Sequence, residues 1–223
     1  MNRIDIAMLE ARMRDLAAVS VNQTVSLFKG GIFALAAVVL LEIAFAPNIV
    51  SPVFWVASFL LAMASYNAHI NTSIVDFRED VADIVIIILQ MMIELLLFAV
   101  LTPRPPLEPW RFWGVIYALF QFVTAVRLAI PLNSGLDLDD RLKPLLAAFE
   151  AGRRQSSRRM FVLSAIAALA AAAMVVLPEN APWGIWISLG LGIWSGLWSL
   201  IGLFYMQRQR RMTERMLREA SAA

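Results

Sequence analysis

Residues 82–101, ADIVIIILQMMIELLLFAVL, decide the class of fold. The stretch is apolar except for the three polar side chains of Asp83, Gln90 and Glu94. A helix of about 20 residues crosses the ~30 Å hydrocarbon core of a bilayer. The stretch therefore predicts a transmembrane helix, and its polar residues are candidates for a function inside the membrane because such residues are costly there.

Apolar blocks of similar length flank this stretch, so we expect an all-α polytopic membrane protein with six transmembrane helices. The predicted spans are 29–46, 52–68, 82–101, 110–130, 160–177 and 183–206. Of the 223 residues, 60% are hydrophobic and 16% are charged, against about 25% charged in soluble domains. This composition excludes a soluble enzyme, a disordered chain and a nucleic-acid-binding protein.

The basic residues predict the orientation of the spans. With six spans and the N-terminus inside, 17 of the 19 Lys and Arg residues fall on one side of the membrane. The positive-inside rule assigns that side to the cytoplasm. We therefore expect a protein of the bacterial inner membrane with both termini cytoplasmic. Glu42 interrupts the first apolar block and Pro47 follows it, so we expect no signal-peptide cleavage at Ala46.

Three cytoplasmic segments are expected outside the spans: an amphipathic helix in 1–28, a loop at 131–159 and a basic tail at 207–223. The first segment has a narrow apolar stripe at helical spacing, formed by Ile6, Leu9, Met13 and Leu16. The stripe predicts either a helix lying on the inner leaflet, or contact with other copies or with the mouth of a pore as a gate or plug. In the loop we expect an amphipathic helix kinked by Pro144, followed by a basic cluster on anionic lipid.

Polar residues inside the spans form a second pattern. We expect Glu42 and Glu94 to lie at similar depth. One face of the third span carries Asp80, Asp83, Gln90 and Glu94. The fourth span runs the other way and presents, at matching depths, Tyr117, Gln121, Thr124 and Arg127.

Two interpretations of these faces stay open. The first is a polar packing seam, in which Gln121 faces Glu94, Thr124 faces Gln90 and Arg127 pairs with an Asp such as Asp83. The second is a hydrated cation path, within one protomer or around the axis of an oligomer.

The sixth span carries a face of small residues, namely Ser188, Gly192, Ser195, Gly196 and Ser199. Small residues allow helices to approach closely. We expect this face to pack on the Ala-rich fifth span, with a subunit interface or pore wall as the alternative.

The chain has no cysteine and one histidine, His69, and it contains no nucleotide-binding or metalloprotease motif. We therefore expect no enzyme, no metal site and no cofactor. The leading hypothesis is an oligomeric, cation-conducting channel gated by its N-terminal helix. The alternatives are a small proton-coupled transporter that uses Glu42 or Glu94, and a membrane scaffold that conducts nothing.

With a charged, plug-like helix in residues 1–20 ahead of six spans and no catalytic motif, the chain resembles small multi-span bacterial effectors of anti-phage defence systems. In those systems a partner protein releases a membrane channel. The resemblance implies membrane depolarisation and growth arrest on activation. The expected partners are the lipid bilayer, further copies of the chain and a regulatory protein on the cytoplasmic side, with no nucleic acid.

Overall fold

A computed structural model describes residues 7–8, 11, 23–44, 49–75, 81–102, 109–131, 140, 143–176 and 182–222. These residues form six α-helices, and no β-strand occurs among them. The helices are α1 (Gln23–Ala44), α2 (Val50–Val75), α3 (Val81–Ala99), α4 (Trp113–Ala129), α5 (Lys143–Val176) and α6 (Pro182–Ala222). A short 3-10 helix, Pro109–Phe112, leads directly into α4. The prediction of an all-α chain is confirmed.

Four helices are long and apolar enough to cross a membrane, through the segments Ser26–Ala44, Val50–Thr72, Leu146–Val176 and Trp183–Arg208. The described apolar segments of α3 and α4 are shorter, Val85–Ala99 and Trp113–Ala129. At 1.5 Å per residue they cover about 22–26 Å, which is less than the ~30 Å hydrocarbon core. The structure thus provides four of the six expected spans by length and composition.

Two helices extend beyond their predicted bounds. The second span was predicted to end at residue 68, but α2 continues through polar residues as far as Val75. Residues 143–159, expected in a cytoplasmic loop, belong to α5 and run into the fifth span without a break. Pro144 causes no kink between separate segments because it is the second residue of α5, where a helix has no backbone N–H bond to lose.

The helices pack in two main pairs, α4 along α5 and α2 along α6, while α1 contacts both α2 and α3. Aromatic side chains fill the core between α2 and α4. The Phe54 and Trp113 rings stack with centroids 4.2 Å apart, and Trp113 stacks on Tyr117 at 5.1 Å. All three side chains are fully buried. This aromatic stack makes one half of the bundle dense and dry.

The small-residue face of α6 packs on α2, so the expected packing on the fifth span is wrong. A Cβ added to Gly192 would lie 2.7 Å from Val53 Cγ1 and 2.9 Å from Phe54 Cδ1, and Gly196 faces Ala57. The serines of this face are buried, and their hydroxyl groups donate hydrogen bonds to backbone carbonyls of α6 itself. Ser188 donates to Gly184 O at 2.7 Å and Ser199 to Ser195 O at 2.9 Å. The serines therefore need no polar partner on α2.

The predicted gate or plug residues, Ile6, Leu9, Met13 and Leu16, lie outside the described residues, so the gating hypothesis stays a prediction.

Candidate functional site

A buried ion pair joins the first and third helices. Lys29 Nζ contacts Glu94 Oε2, and their side chains are only 4% and 1% exposed. Lys29 Nζ also donates to Ser65 Oγ at 3.3 Å and to Ala62 O at 3.4 Å, both on α2. Three helices therefore converge on one lysine. Two charges withdrawn from water in this way stabilise each other, because either one alone carries a large desolvation penalty.

The second carboxylate oxygen of the pair has spare capacity. Glu94 Oε1 is buried and accepts no hydrogen bond from the described residues. Such an orphaned acceptor is costly in a dry interior. As a carboxylate oxygen with lone pairs, Glu94 Oε1 can accept a further hydrogen bond.

The sequence did not reveal Lys29 as a site residue. Lys29 was predicted as the first residue of the first span, at its cytoplasmic edge, whereas α1 already begins at Gln23 and Lys29 is 3% exposed. The expected equal depth of Glu42 and Glu94 is also wrong. Glu94 lies beside Lys29, and Glu42 lies thirteen residues further along α1, about 20 Å away along the axis. Glu42 is exposed, two residues before the end of the helix.

A second polar cluster continues from the predicted seam between α3 and α4. Gln90 Nε2 donates to Thr124 Oγ1 at 2.8 Å, which agrees with the predicted matching of these two residues. Arg127 Nη1 donates to Gln90 Oε1 at 3.3 Å, and Arg127 Nη2 lies 3.2 Å from His69 Nδ1. His69 comes from α2 and was not predicted to take part. His69 lies beside Arg127 because α2 stays helical through its polar C-terminal part.

The structure describes the other predicted residues of the seam only in part. Gln121 is 2% exposed and lies on the face of α4 that turns inward. Asp80 lies outside the described residues, and only the backbone of Asp83 is described. The predicted pair between Arg127 and an Asp therefore stays a prediction.

A cavity of about 230 Å³ lies between α2, α4, α5 and α6 on the side of the bundle that carries the basic residues. Three arginines line it, Arg127, Arg153 and Arg159, and no Asp or Glu occurs among the described lining residues. Its polar wall also includes Ser65, Gln90, Gln121 and Thr124. The remaining wall is largely apolar and includes Leu61, Phe120, Phe149, Met160 and Trp198.

The cavity and the ion pair are adjacent. Ser65 lines the cavity and also accepts the hydrogen bond from Lys29 Nζ. A molecule in the cavity is thus separated from the buried charges by one side chain. Seven residues earlier on α2, about 10 Å along its axis, Ser58 Oγ accepts a 2.8 Å hydrogen bond from Trp113 Nε1 at the aromatic stack. The cavity, the ion pair and the aromatic stack therefore follow one another along the bundle.

Comparison with protein-family models, with curated proteins and with solved structures finds no match for this chain. Among the residues that the structure describes, no group of three or more His, Asp or Glu side chains could hold a metal ion.

Proposed function

We propose that this chain is a membrane transport protein, in which a solute enters the cavity from the basic side and passes the Lys29–Glu94 pair to cross the bundle. The observation that carries the proposal is the hydrogen bond from Lys29 to Ser65, a residue of the cavity wall. A buried ion pair contributes little net stability compared with apolar packing. Its position at the inner end of a cavity supports a function in transport.

The proposal includes six membrane-crossing helices with both termini cytoplasmic. If the six spans alternate in direction, α2 and α6 run the same way. A contact at the basic side supports this, because Asn71 Nδ2 of α2 donates to Met206 O of α6 at 3.3 Å. The arginine-rich end of α6 lies beyond its apolar segment on this same side, and the arginines of α5 lie in the N-terminal half of that helix. Under the positive-inside rule this side faces the cytoplasm, so the cavity lies in the cytoplasmic half of the bundle.

In this conformation the far half of the path is closed. The stacked rings of Phe54, Trp113 and Tyr117 leave no exposed surface, and Gly114 lies against Ala171 and Leu191 with an added Cβ only 3.1 Å from each. Transport requires these contacts to open while the cavity side closes. A cavity confined to one half of the bundle is typical of a carrier more than of a continuous pore.

The proposal departs from the cation-selective path expected from the acidic face of the third span. The described cavity wall has three arginines, which repel cations, and Glu94 is compensated by Lys29. The oligomeric channel remains distinguishable by experiment because an open channel gives discrete current steps, whereas a carrier gives saturable uptake without them.

The test is flux in proteoliposomes made with the full-length chain. Potassium, protons, chloride and benzoate serve as probes, with protein-free liposomes as the baseline. We expect saturable uptake of at least one probe and its loss in Glu94→Gln. The matched control is Glu42→Gln, which removes the exposed carboxylate at the far end of α1 and should retain uptake. Absence of flux for every probe contradicts the proposal and favours a scaffold.

A further inference from the structure

We infer that the cavity binds a small organic anion, in which an acidic group faces the arginines and an apolar body lies against the hydrophobic wall. This inference rests on the proposed function, since it names the class of solute that would use the path. It does not follow from the transport proposal alone, which is equally compatible with protons or with neutral solutes.

The arginines of the cavity wall support the binding of an anion. Arg127 belongs to α4, and Arg153 and Arg159 lie six residues apart on α5, so arginines line the cavity from two helices. Arg153 is held in place because its Nη2 donates to Arg127 O at 2.8 Å and to Ile130 O at 3.3 Å. Guanidinium groups bind carboxylates and phosphates through paired hydrogen bonds. No Asp or Glu occurs among the described lining residues, so the charged side chains that the structure describes in the wall are all basic.

The apolar side chains of the cavity wall support a ligand with an apolar body. Phe120, Phe149 and Trp198 line the same cavity as the arginines. A hydrated inorganic ion gains nothing from such a surface, whereas an aromatic or short aliphatic body buries apolar area against it. The volume of about 230 Å³ is smaller than the ~300–1,000 Å³ typical of sites for drug-sized ligands. These properties fit a monocarboxylate of the size of benzoate.

Gly202 offers a way to fill the cavity without distorting the helix. It lines the cavity from α6, and a Cβ added there meets no atom within 4 Å. Gly190, twelve residues earlier on the same helix, is equally open but is not among the lining residues. The two glycines therefore form a matched pair for a bulky substitution.

The first test measures benzoate binding calorimetrically, at constant chloride, with the full-length chain in nanodiscs of neutral lipid. We expect benzoate to bind at least about tenfold more tightly than benzyl alcohol, which lacks the charge. Arg159→Gln should weaken benzoate binding about tenfold, the effect of losing one charge-assisted hydrogen bond. Arg158→Gln removes the same charge from the neighbouring exposed position outside the cavity and should have no effect. Equal affinity for the alcohol, or equal loss in the two arginine variants, overturns the inference.

The second test uses the glycine pair. Gly202→Leu should abolish benzoate binding and Gly190→Leu should preserve it, with both variants folded by thermal melting. Unchanged binding in Gly202→Leu places benzoate elsewhere and overturns the inference. An anionic lipid headgroup offers the same chemistry, so the titration is repeated in nanodiscs containing phosphatidylglycerol. A tenfold loss of benzoate affinity there overturns the assignment to a soluble solute and assigns the site to lipid.

Binding is measured here without transport, so the two proposals fail separately. Benzoate binding without any flux contradicts the transport function and leaves the anion site standing. Flux of another probe, without benzoate binding, contradicts the anion site and leaves the transport function standing.

Discussion

At the scale of single residues, the Lys29–Glu94 pair has two opposing effects on the bundle. The attraction between the two charges joins α1 to α3, while the removal of both from water costs free energy that attraction barely offsets. The pair is therefore sensitive to the loss of one member and tolerant of the loss of both. This asymmetry separates a buried ion pair from ordinary apolar packing.

We predict that Lys29→Met lowers the free energy of unfolding by about 3–5 kcal/mol, because Glu94 is left charged and uncompensated in the core. The double variant Lys29→Met with Glu94→Leu should recover most of that loss. Denaturant-induced unfolding in detergent measures both. Lys143→Met is the control, since Lys143 and Asp140 form an exposed pair, and it should leave stability nearly unchanged. A double variant as unstable as Lys29→Met alone contradicts the prediction.

The sequence allowed part of this site to be predicted. Gln90 and Thr124 were matched by counting depth along antiparallel helices, and the 2.8 Å hydrogen bond agrees with that counting. Lys29 was missed because hydropathy assigns a lysine at the edge of an apolar block to the membrane surface. Its partner is 65 residues away in the chain, and no local periodicity connects the two.

At the scale of helices, close packing of α6 on α2 depends on Gly192. Its neighbours Val53 and Phe54 occupy the space where a side chain would begin. The small-residue face was visible in the sequence, but its partner was not. Small residues allow two helices to approach closely, but they do not specify which helix is the partner. The Ala-rich α5 also offers a surface of small side chains and was therefore an equally good candidate for packing on α6.

We predict that Gly192→Ala destabilises the protein by about 1–3 kcal/mol, the usual effect of an extra carbon in a filled core. Gly190→Ala on the same helix meets no atom within 4 Å and should be neutral or slightly stabilising. Thermal melting of the purified variants measures the difference. Equal melting temperatures for the two variants would show that the contact of α6 with α2 is looser than described.

At the scale of the whole molecule, the bundle is asymmetric along its length. The cavity and its three arginines occupy one half, and the stacked aromatic rings fill the other. The native chain has no cysteine, so one introduced thiol reports accessibility without background.

We predict that Ser156→Cys, in the cavity wall, reacts with a membrane-impermeant maleimide only from the basic side, in inside-out vesicles and not in intact cells. Ser164→Cys is the control on the same helix. Ser164 is 8% exposed and its hydroxyl donates to Ala118 O at 2.9 Å, so its thiol should not react from either side. Labelling of Ser156→Cys in intact cells would reverse the proposed orientation.

The separation of Lys29 from Glu94 in the chain also has a consequence for biosynthesis. The first helix leaves the ribosome before its counter-ion in the third has been made, 65 residues later. An unpaired lysine deep in a membrane helix costs about 2.5–3.5 kcal/mol on insertion, and a lysine near a helix end avoids this by extending to the headgroups. We therefore expect α1 to lie near the membrane surface at first and to move deeper into the membrane when α3 is inserted. The final depth of the first helix is set by the third, so assembly is complete only after Glu94 has entered the membrane.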